Sequence, residues 1–460
     1  MIPLLLSEIA TVVGGELHGD DVLVTSPAYV DSRNPVPEGL FVAVVGEHVD
    51  GHAYADGAHA VLGSRATSAP TVVVTDPVAA LGLLARHVVE RLDVTVFAMT
   101  GSQGKTGTKD YLASVLRTLA GDDAVVATTA NNNNELGVPL TVLRATGDTR
   151  HLVVEMGARG IGHIAQLCRI APPRIAAVLN VGTAHVGEFG SREAIAQAKG
   201  EIVEALPAEG TAVLNADDTL VSAMDRRTAA RVLTFGEAGD VRWREVQLDH
   251  LGRPSFGLGH DGSWHAVTLQ QTGRHQVLNA AAAATMAIGA GHPAGDVAAA
   301  LSQAVPASRW RMELTERADG LVVVNDAYNA NPESMRAALE ALVAIGRGDP
   351  ADDGHRRRRT IAVLGEMKEL GDEHEAGHRA VGEAAASLGV DVVVVVTEAA
   401  RGIAEGARAG TGEVIVTAGR EEAAAWVRQN AGPEDVVLVK ASRGAALEWV
   451  VEQIVEDQTP

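Results

Sequence analysis

The chain has 460 residues, enough for about three domains at roughly 150 residues each. Hydrophobic residues make up 46% and charged residues 21%, a globular composition that excludes disordered and fibrous classes. Lys and Arg number 38 against 59 Asp and Glu, a formal net charge of −21. That balance argues against nucleic acid or an anionic membrane as the main partner, and it requires any anionic ligand to sit in a local basic pocket. The one cysteine, Cys168, rules out an internal disulfide and a Cys-based zinc site. It fits a reducing compartment, so a cytoplasmic location is expected. Residues 1–10 carry Glu8 and no basic n-region, and no apolar run is long enough to span a bilayer. Neither a signal peptide nor a membrane anchor is expected.

Aromatic residues are only 3%, so the cores must be built from Ala, Val, Leu and Ile. Short Val-rich runs alternate with longer Ala-rich stretches, the pattern of parallel sheets covered by helices. Residues 1–93 differ, with short β-type runs at 39–45 and 71–75, many turn residues and a closing helix at 77–91. We read this as a small α/β domain. A second domain, 94–311, opens on a strand at 94–99 and a helix at 106–119. Further strands are expected at 151–155, 174–180, 211–215 and 231–235, a β-rich insertion at 241–268, and helices at 277–289 and 295–304. A third domain, 312–460, has strands at 321–325, 360–364, 390–396, 413–416 and 435–439, each followed by a helical stretch. That is a doubly wound α/β pattern. Residues 346–359 read as a flexible, solvated loop, with anion binding by arginines 356–359 as the less favoured alternative.

Thr100, Gly101, Ser102, Gln103, Gly104, Lys105 and Thr106 lie between a predicted strand and a predicted helix, as a phosphate-binding loop requires. Small residues let backbone N–H groups turn toward phosphate oxygens, and the helix N-terminus adds partial positive charge. Lys105 would reach the outer phosphates and the Thr106 hydroxyl would ligate Mg²⁺. Met99 stands where the longer form of the motif has glycine. Such a loop serves kinases, motors, switches and ligases alike, so the rest of the site must decide.

Ligands of open α/β sheets sit beyond the carboxyl ends of strands. Those ends carry Glu155, Asn180 and His185 in the second domain. Glu155 and His185 can complete a Mg²⁺ shell, the imidazole being the softer ligand. The asparagine run 131–134 offers uncharged donors and acceptors, and Lys199 sits on a predicted helix. In the third domain, polar loops follow three strands: 325–332, 365–371 and 440–444. They imply a face that meets ligands or the second domain.

These motifs together resemble the bacterial Mur ligases over essentially the whole length. The N-terminal D-S-R at 31–33, L-F-V-A at 40–43 and D-G-H at 50–52 resemble the family's uridine-nucleotide pattern. Within the second domain the matching strings are T-G-S-Q-G-K-T at 100–106, E-M-G at 155–157, A-K-G-E at 198–201 and G-R-H-Q-V-L-N-A at 273–280. N-D-A-Y-N-A-N-P at 325–332 and G-E-M-K-E-L-G at 365–371 point to the branch that adds D-alanyl-D-alanine.

The resemblance implies a three-domain α/β fold: a small N-terminal UDP-binding domain, a central P-loop ATPase-type parallel sheet with helices, and a C-terminal Rossmann-like domain. It implies ATP-dependent joining of D-alanyl-D-alanine to UDP-N-acetylmuramoyl-tripeptide through an acyl phosphate. The cofactors implied are ATP and two Mg²⁺ ions, and a monomer acting on small molecules alone is expected. Lys199 is implied to be N6-carboxylated, its carbamate joining Thr106, Glu155 and His185 as a metal ligand. Asn279, Arg309, Asp326 and Tyr328 are implied nucleotide contacts. Ser308 replaces the family's glycine before Arg309, and Arg311 follows two residues on. Ser32, Arg33, Asp50 and His52 would hold the UDP end, and Asn329, Asn331 and Glu366 the dipeptide side. The branch adding a diamino acid carries a D-N-P-R string that is absent here. A nucleotide switch would leave the uridine-type segment without a role.

Overall fold

A computed structural model describes every residue except 47, 183–188, 306, 349–356, 409, 411 and 456–460. It contains three larger sheets and one two-stranded ribbon. The first sheet runs in the order Glu16–His18, Thr71–Val73, Ala60–Gly63, Leu40–Val42, Ala28–Tyr29. Its first pair is antiparallel and the others are parallel. The helix Pro77–Arg91 follows, with Asp76 accepting hydrogen bonds from the amides of Val78 (2.9 Å) and Ala79 (3.1 Å), and proline in the first turn.

The central sheet has nine strands. Strands Thr95–Thr100 (β1) and His151–Glu155 (β2) lie side by side in parallel, flanked by Ile175–Val178 and Val125–Ala127. The stretch expected as a separate β-rich insertion extends this same sheet, as antiparallel strands Val241–Leu248, Pro254–His260 and Ser263–Thr268. The helices that matter here are Lys105–Ala120 (α1), Arg192–Glu204 (α2) and Gln276–Gly289 (α3). Apolar side chains alternate to the two faces of the parallel strands. Phe97 and Met99 join the cluster with α1 and α3. Val96 and Ala98 join the other face, whose cluster continues through Leu81, Leu84 and Val88 into the first sheet. The first two sheets therefore share one core.

The third sheet has six strands in the order Glu313–Glu316, Val322–Asp326, Asp435–Lys440, Arg359–Leu364, Val392–Val396, Glu413–Thr417. All pairs are parallel except the first. We call Val322–Asp326 β3, the helix Pro332–Arg347 α4, Arg359–Leu364 β4 and Asp435–Lys440 β5. Apolar clusters cover both faces, so the sheet is doubly wound. Arginines 357–359 are spent on their own sheet rather than presented to an anion. Arg357 pairs with Asp391 (2.6 Å), Arg358 donates to the Gly320 carbonyl (2.7 Å) and Arg359 pairs with Asp435 (2.8 Å). Arg356 lies outside the described residues.

Among the described residues, the second and third sheets are joined at two places outside the cleft. One is the linker before residue 313, where Trp310 (φ 59°) and Met312 (φ 51°) adopt left-handed conformations unusual for large side chains. Hydrogen bonds hold them there: Trp310 N–H to Glu313 (3.1 Å) and Met312 N–H to Asp326 (3.1 Å). The other is the tip of the antiparallel extension. Leu251 is buried in the core of the third sheet, and a Cβ on Gly252 would lie 3.2 Å from Ile345 of α4.

Helices His374–Leu388 and Arg401–Ala407 cross closely on the same flank. A Cβ at Gly382 would fall 2.0 Å from the Ile403 carbonyl oxygen. Gly382→Ala should therefore lower stability by about 2–3 kcal/mol, because backbone rather than a movable side chain blocks the space. Urea unfolding of wild type and variant measures this, and equal midpoints would refute the close crossing.

Candidate active site

The carboxyl ends of the second and third sheets face each other across a cleft of about 750 Å³. One wall is the phosphate loop. Thr100 ends β1 fully buried, and its hydroxyl has no partner. Gly104 caps α1 at φ 81°, and a Cβ there would lie 2.6 Å from the Asn279 side-chain oxygen. Glycine is thus required both for conformation and for space. Asn180 staples the loop, accepting from Gln103 N–H (3.0 Å) and donating to its carbonyl (3.1 Å). The Ser102 hydroxyl accepts from Gly182 N–H at 2.9 Å. Lys105 folds back to donate to the Gly101 carbonyl (2.6 Å).

Glu155 ends β2 almost fully buried. Its two carboxylate oxygens accept from the Thr106 hydroxyl (3.0 Å) and the Asn133 amide (2.9 Å), and Thr128 holds its backbone N–H (3.0 Å). Carboxylate and hydroxyl oxygens beside a phosphate loop fit a hard cation such as Mg²⁺, which takes few protein ligands and completes its shell with phosphate and water. Among the described residues no group of three or more His, Cys, Asp and Glu forms a metal cage. His185 lies outside the described residues.

Lys199 projects into the cleft from α2 and is buried, with no hydrogen-bond or ion-pair partner among the described residues. Burial pushes its pKa well below the usual lysine value, and the nearby Lys105 cation pushes the same way. Burial also lowers Lys105, against the pull of Glu155 and with the help of Arg311. Glu201, two residues on, accepts from the amides of Gly162 (2.5 Å) and Ala165 (2.9 Å), tying α2 to the helix His163–Ile170.

The opposite wall comes from the third sheet. Asp326 and Lys440 sit side by side on the parallel strands β3 and β5 and form a buried ion pair (2.6 Å). Lys440 also donates to the Asn329 carbonyl (2.8 Å), and Asp326 accepts from Met312 N–H. Burial lowers the Lys440 pKa, with Asp326 pulling it back up. Tyr328 carries the Arg311 guanidinium over its ring at 4.3 Å, and burial raises its phenol pKa.

Several expectations change with these contacts. Arg309 is exposed and does not line the cleft, whereas Arg311 lines it with a buried, unpartnered Nε. Asp326 reaches the cleft, but its carboxylate is committed to Lys440 and Met312. Asn331 caps α4 by accepting from Ser334 N–H (2.8 Å), and Asn329 accepts from Ala330 N–H (2.9 Å), so both oxygens serve their own loop. Glu366 is absent from the lining; its carbonyl accepts from Ser442 N–H (3.0 Å). Asn279 lines the cleft, packed against the phosphate loop.

None of the N-terminal candidates lines this cleft. His52 is buried and both its ring nitrogens are taken. Nε2 accepts from Ser64 N–H (2.8 Å), so Nδ1 donates to Asp50 (2.6 Å). It stabilises its loop rather than presenting a free nitrogen. Arg65 and His52 hold the Asp50 carboxyl down to about 2. Ser32 is half-buried, and exposed Arg33 pairs with Asp31 (2.8 Å). The sequence reading missed the partnership of Lys440 with Asp326 and the support from Thr128. Neither has a local signal, since strand register brings each pair together.

Comparison with known proteins agrees with this layout. The Mur ligase middle domain model matches residues 99–287, and the Mur ligase, glutamate ligase domain model matches 310–443. The UDP-N-acetylmuramoyl-tripeptide–D-alanyl-D-alanine ligase of Mycobacterium bovis is 43% identical over 100% of this chain and 99% of its own. That of Escherichia coli is 34% identical over 100% of both. A crystal structure of MurF from Acinetobacter baumannii matches with a TM-score of 0.87 at 30% identity over 99% of each chain. MurF ligase from Thermotoga maritima in complex with ADP matches at 0.78 and 31%, over 94% of this chain and 98% of that one.

Removing one member of a buried ion pair strands the other. Lys440→Met should therefore cost about 3 kcal/mol of stability, with most of it recovered in Lys440→Met/Asp326→Asn. Chemical denaturation of the two variants tests this. A double variant no better than the single one would contradict the pairing.

Proposed function

The chain belongs to the Mur ligase family, and from that membership we infer that it joins D-alanyl-D-alanine to UDP-N-acetylmuramoyl-tripeptide with consumption of ATP. The whole-chain identity to ligases of that name carries the reading. The cleft supports it, because a phosphate loop and a polar second wall share one space.

We assign the roles as follows. Residues 94–311 bind ATP, the amides of 101–106 and the N-terminus of α1 facing its phosphates. Lys105 offsets polyphosphate charge while the tripeptide carboxylate approaches. Glu155, Thr106 and His185 would hold Mg²⁺. Bound there, Mg²⁺ would supply Lewis-acid stabilisation of phosphoryl charge. Arg311, rather than Arg309, faces the nucleotide from the linker, with Tyr328 supporting its guanidinium. Residues 312–460 receive the dipeptide, whose neutral amine attacks the activated carbonyl. Closure excludes water that would hydrolyse an acyl phosphate. Residues 1–93 take the UDP end, with Ser32, Arg33 and Asp50 as candidate contacts.

Lys199 is suited to become a carbamate. Burial that lowers the Lys199 pKa favours the neutral amine, whose nitrogen can add to CO₂ with loss of one proton. The product would place an anion on a buried side chain that has no partner among the described residues, near the Lys105 cation.

Two measurements test these assignments. Phosphate release from ATP and Mg²⁺ should require both UDP-N-acetylmuramoyl-tripeptide and D-alanyl-D-alanine, and should accompany a pentapeptide product of matching mass. Release that ignores both substrates would exclude the ligase. Separately, ¹³C-labelled bicarbonate should give wild-type protein a carbamate carbon resonance that Lys199→Met lacks. Identical spectra would exclude the modification.

A further inference from the structure

The helix that follows the phosphate loop carries two adjacent charges to which the phosphate chemistry gives no role. Lys109 and Asp110 of α1 are both buried and pair with each other. Neighbouring residues on a helix point about 100° apart and do not normally meet, so both side chains must turn toward a common point. That point is Ser308, in the linker before the third sheet. The Lys109 ammonium donates to the Ser308 hydroxyl (3.2 Å), and the Asp110 carboxylate accepts from Ser308 N–H (3.2 Å). Desolvation of a buried pair commonly offsets its own attraction, so the pair is weak evidence of a stabilising role. Its geometry does something more specific, fixing both the backbone and the side chain of one linker residue.

Three residues on, Arg311 lines the cleft with a buried Nε that has no hydrogen-bond partner. Its guanidinium lies over the Tyr328 ring, and the Trp310 carbonyl accepts from Tyr328 N–H at 3.3 Å. The linker is thus gripped from the second sheet at Ser308 and from the third at Trp310, and exposed Arg309 separates the two grips. Asp110 is one turn beyond Thr106 on the same helix and itself lines the cleft. The first grip is therefore built on the element whose N-terminus faces the phosphates.

We propose that Lys109 and Asp110 are positioning residues that clamp Ser308 to α1 and so deliver the Arg311 guanidinium to the bound nucleotide. The proposal rests on the reading of this cleft as the ATP site of a ligase. The pair acts through Arg311 and not by contact with the phosphates.

Calorimetric binding of ATP with Mg²⁺ to the full-length protein, with both acceptor substrates left out, tests the clamp. Lys109→Met/Asp110→Leu removes the two charges together, so neither is stranded in the interior. It should weaken ATP binding about tenfold, the scale of one hydrogen bond to a charged group. Arg311→Met should lose about as much. The triple variant should bind no more weakly than Arg311→Met, because the clamp then has nothing to position. A merely structural role for the pair would instead multiply the two losses. If the paired variant does not fold, Ser308→Ala removes only the Lys109 contact. It should weaken ATP binding in the wild-type background and leave Arg311→Met unchanged. Wild-type affinity in the clamp variants or in Arg311→Met, or losses that multiply, overturns the clamp while the ligase stands on its substrate requirement. Phosphate release that ignores both substrates removes the ligase and leaves the binding comparison intact.

Discussion

The constraint behind this architecture is the gathering of cations in a largely acidic chain. A formal charge of −21 spreads over the molecule, yet the cleft is lined by seven Lys and Arg against five Asp and Glu. Burial lowers the proton affinity of two of those lysines, Lys105 and Lys199, and the Lys105 cation lowers that of Lys199 further. Empty, such a site is electrostatically uncomfortable, and anions relieve it. ATP, a peptide carboxylate and a lysine carbamate are all anions. The cleft is preorganised for charges that arrive with the substrates, which is where electrostatic stabilisation is most effective.

The two sheets divide that work by geometry. Parallel strands point their carboxyl ends in one direction, so each sheet offers a single polar rim. Turning two rims toward each other makes a reaction chamber without a dedicated active-site domain. The strained linker residues Trp310 and Met312 stand between the rims, and the guanidinium of Arg311 between them reaches the chamber. Left-handed backbone on both sides of one arginine explains how so short a segment can both connect the sheets and present a side chain to the space between them.

Much of this was legible in the sequence, and the pattern of success has a physical origin. The phosphate loop, the strand carrying Glu155 and the doubly wound third sheet follow from local spacing, because strand, turn and helix signals lie within a few residues of one another. The β-rich stretch was recognised, but its continuity with the central sheet was not, since strand pairing is a non-local choice. Several polar candidates also serve their own fold. His52 is held between Ser64 and Asp50, Asn331 caps a helix, Arg357 and Arg359 pair with Asp391 and Asp435, and Arg358 donates to the Gly320 carbonyl. Residue type and motif identify these as candidates, and only the hydrogen-bond inventory reveals that they are occupied. Arg309 and Arg311 are two apart, and a pair of unusual backbone torsions decides which one turns inward.

The burial of Leu251 in the core of the third sheet has a mechanical consequence. The third unit is tied to the second at the covalent linker and again at this apolar tip. Two separated points of attachment define a line, and a body held at both can turn about that line but cannot slide or twist freely. In the structure, that double attachment holds the phosphate loop opposite Asp326, Tyr328 and Lys440.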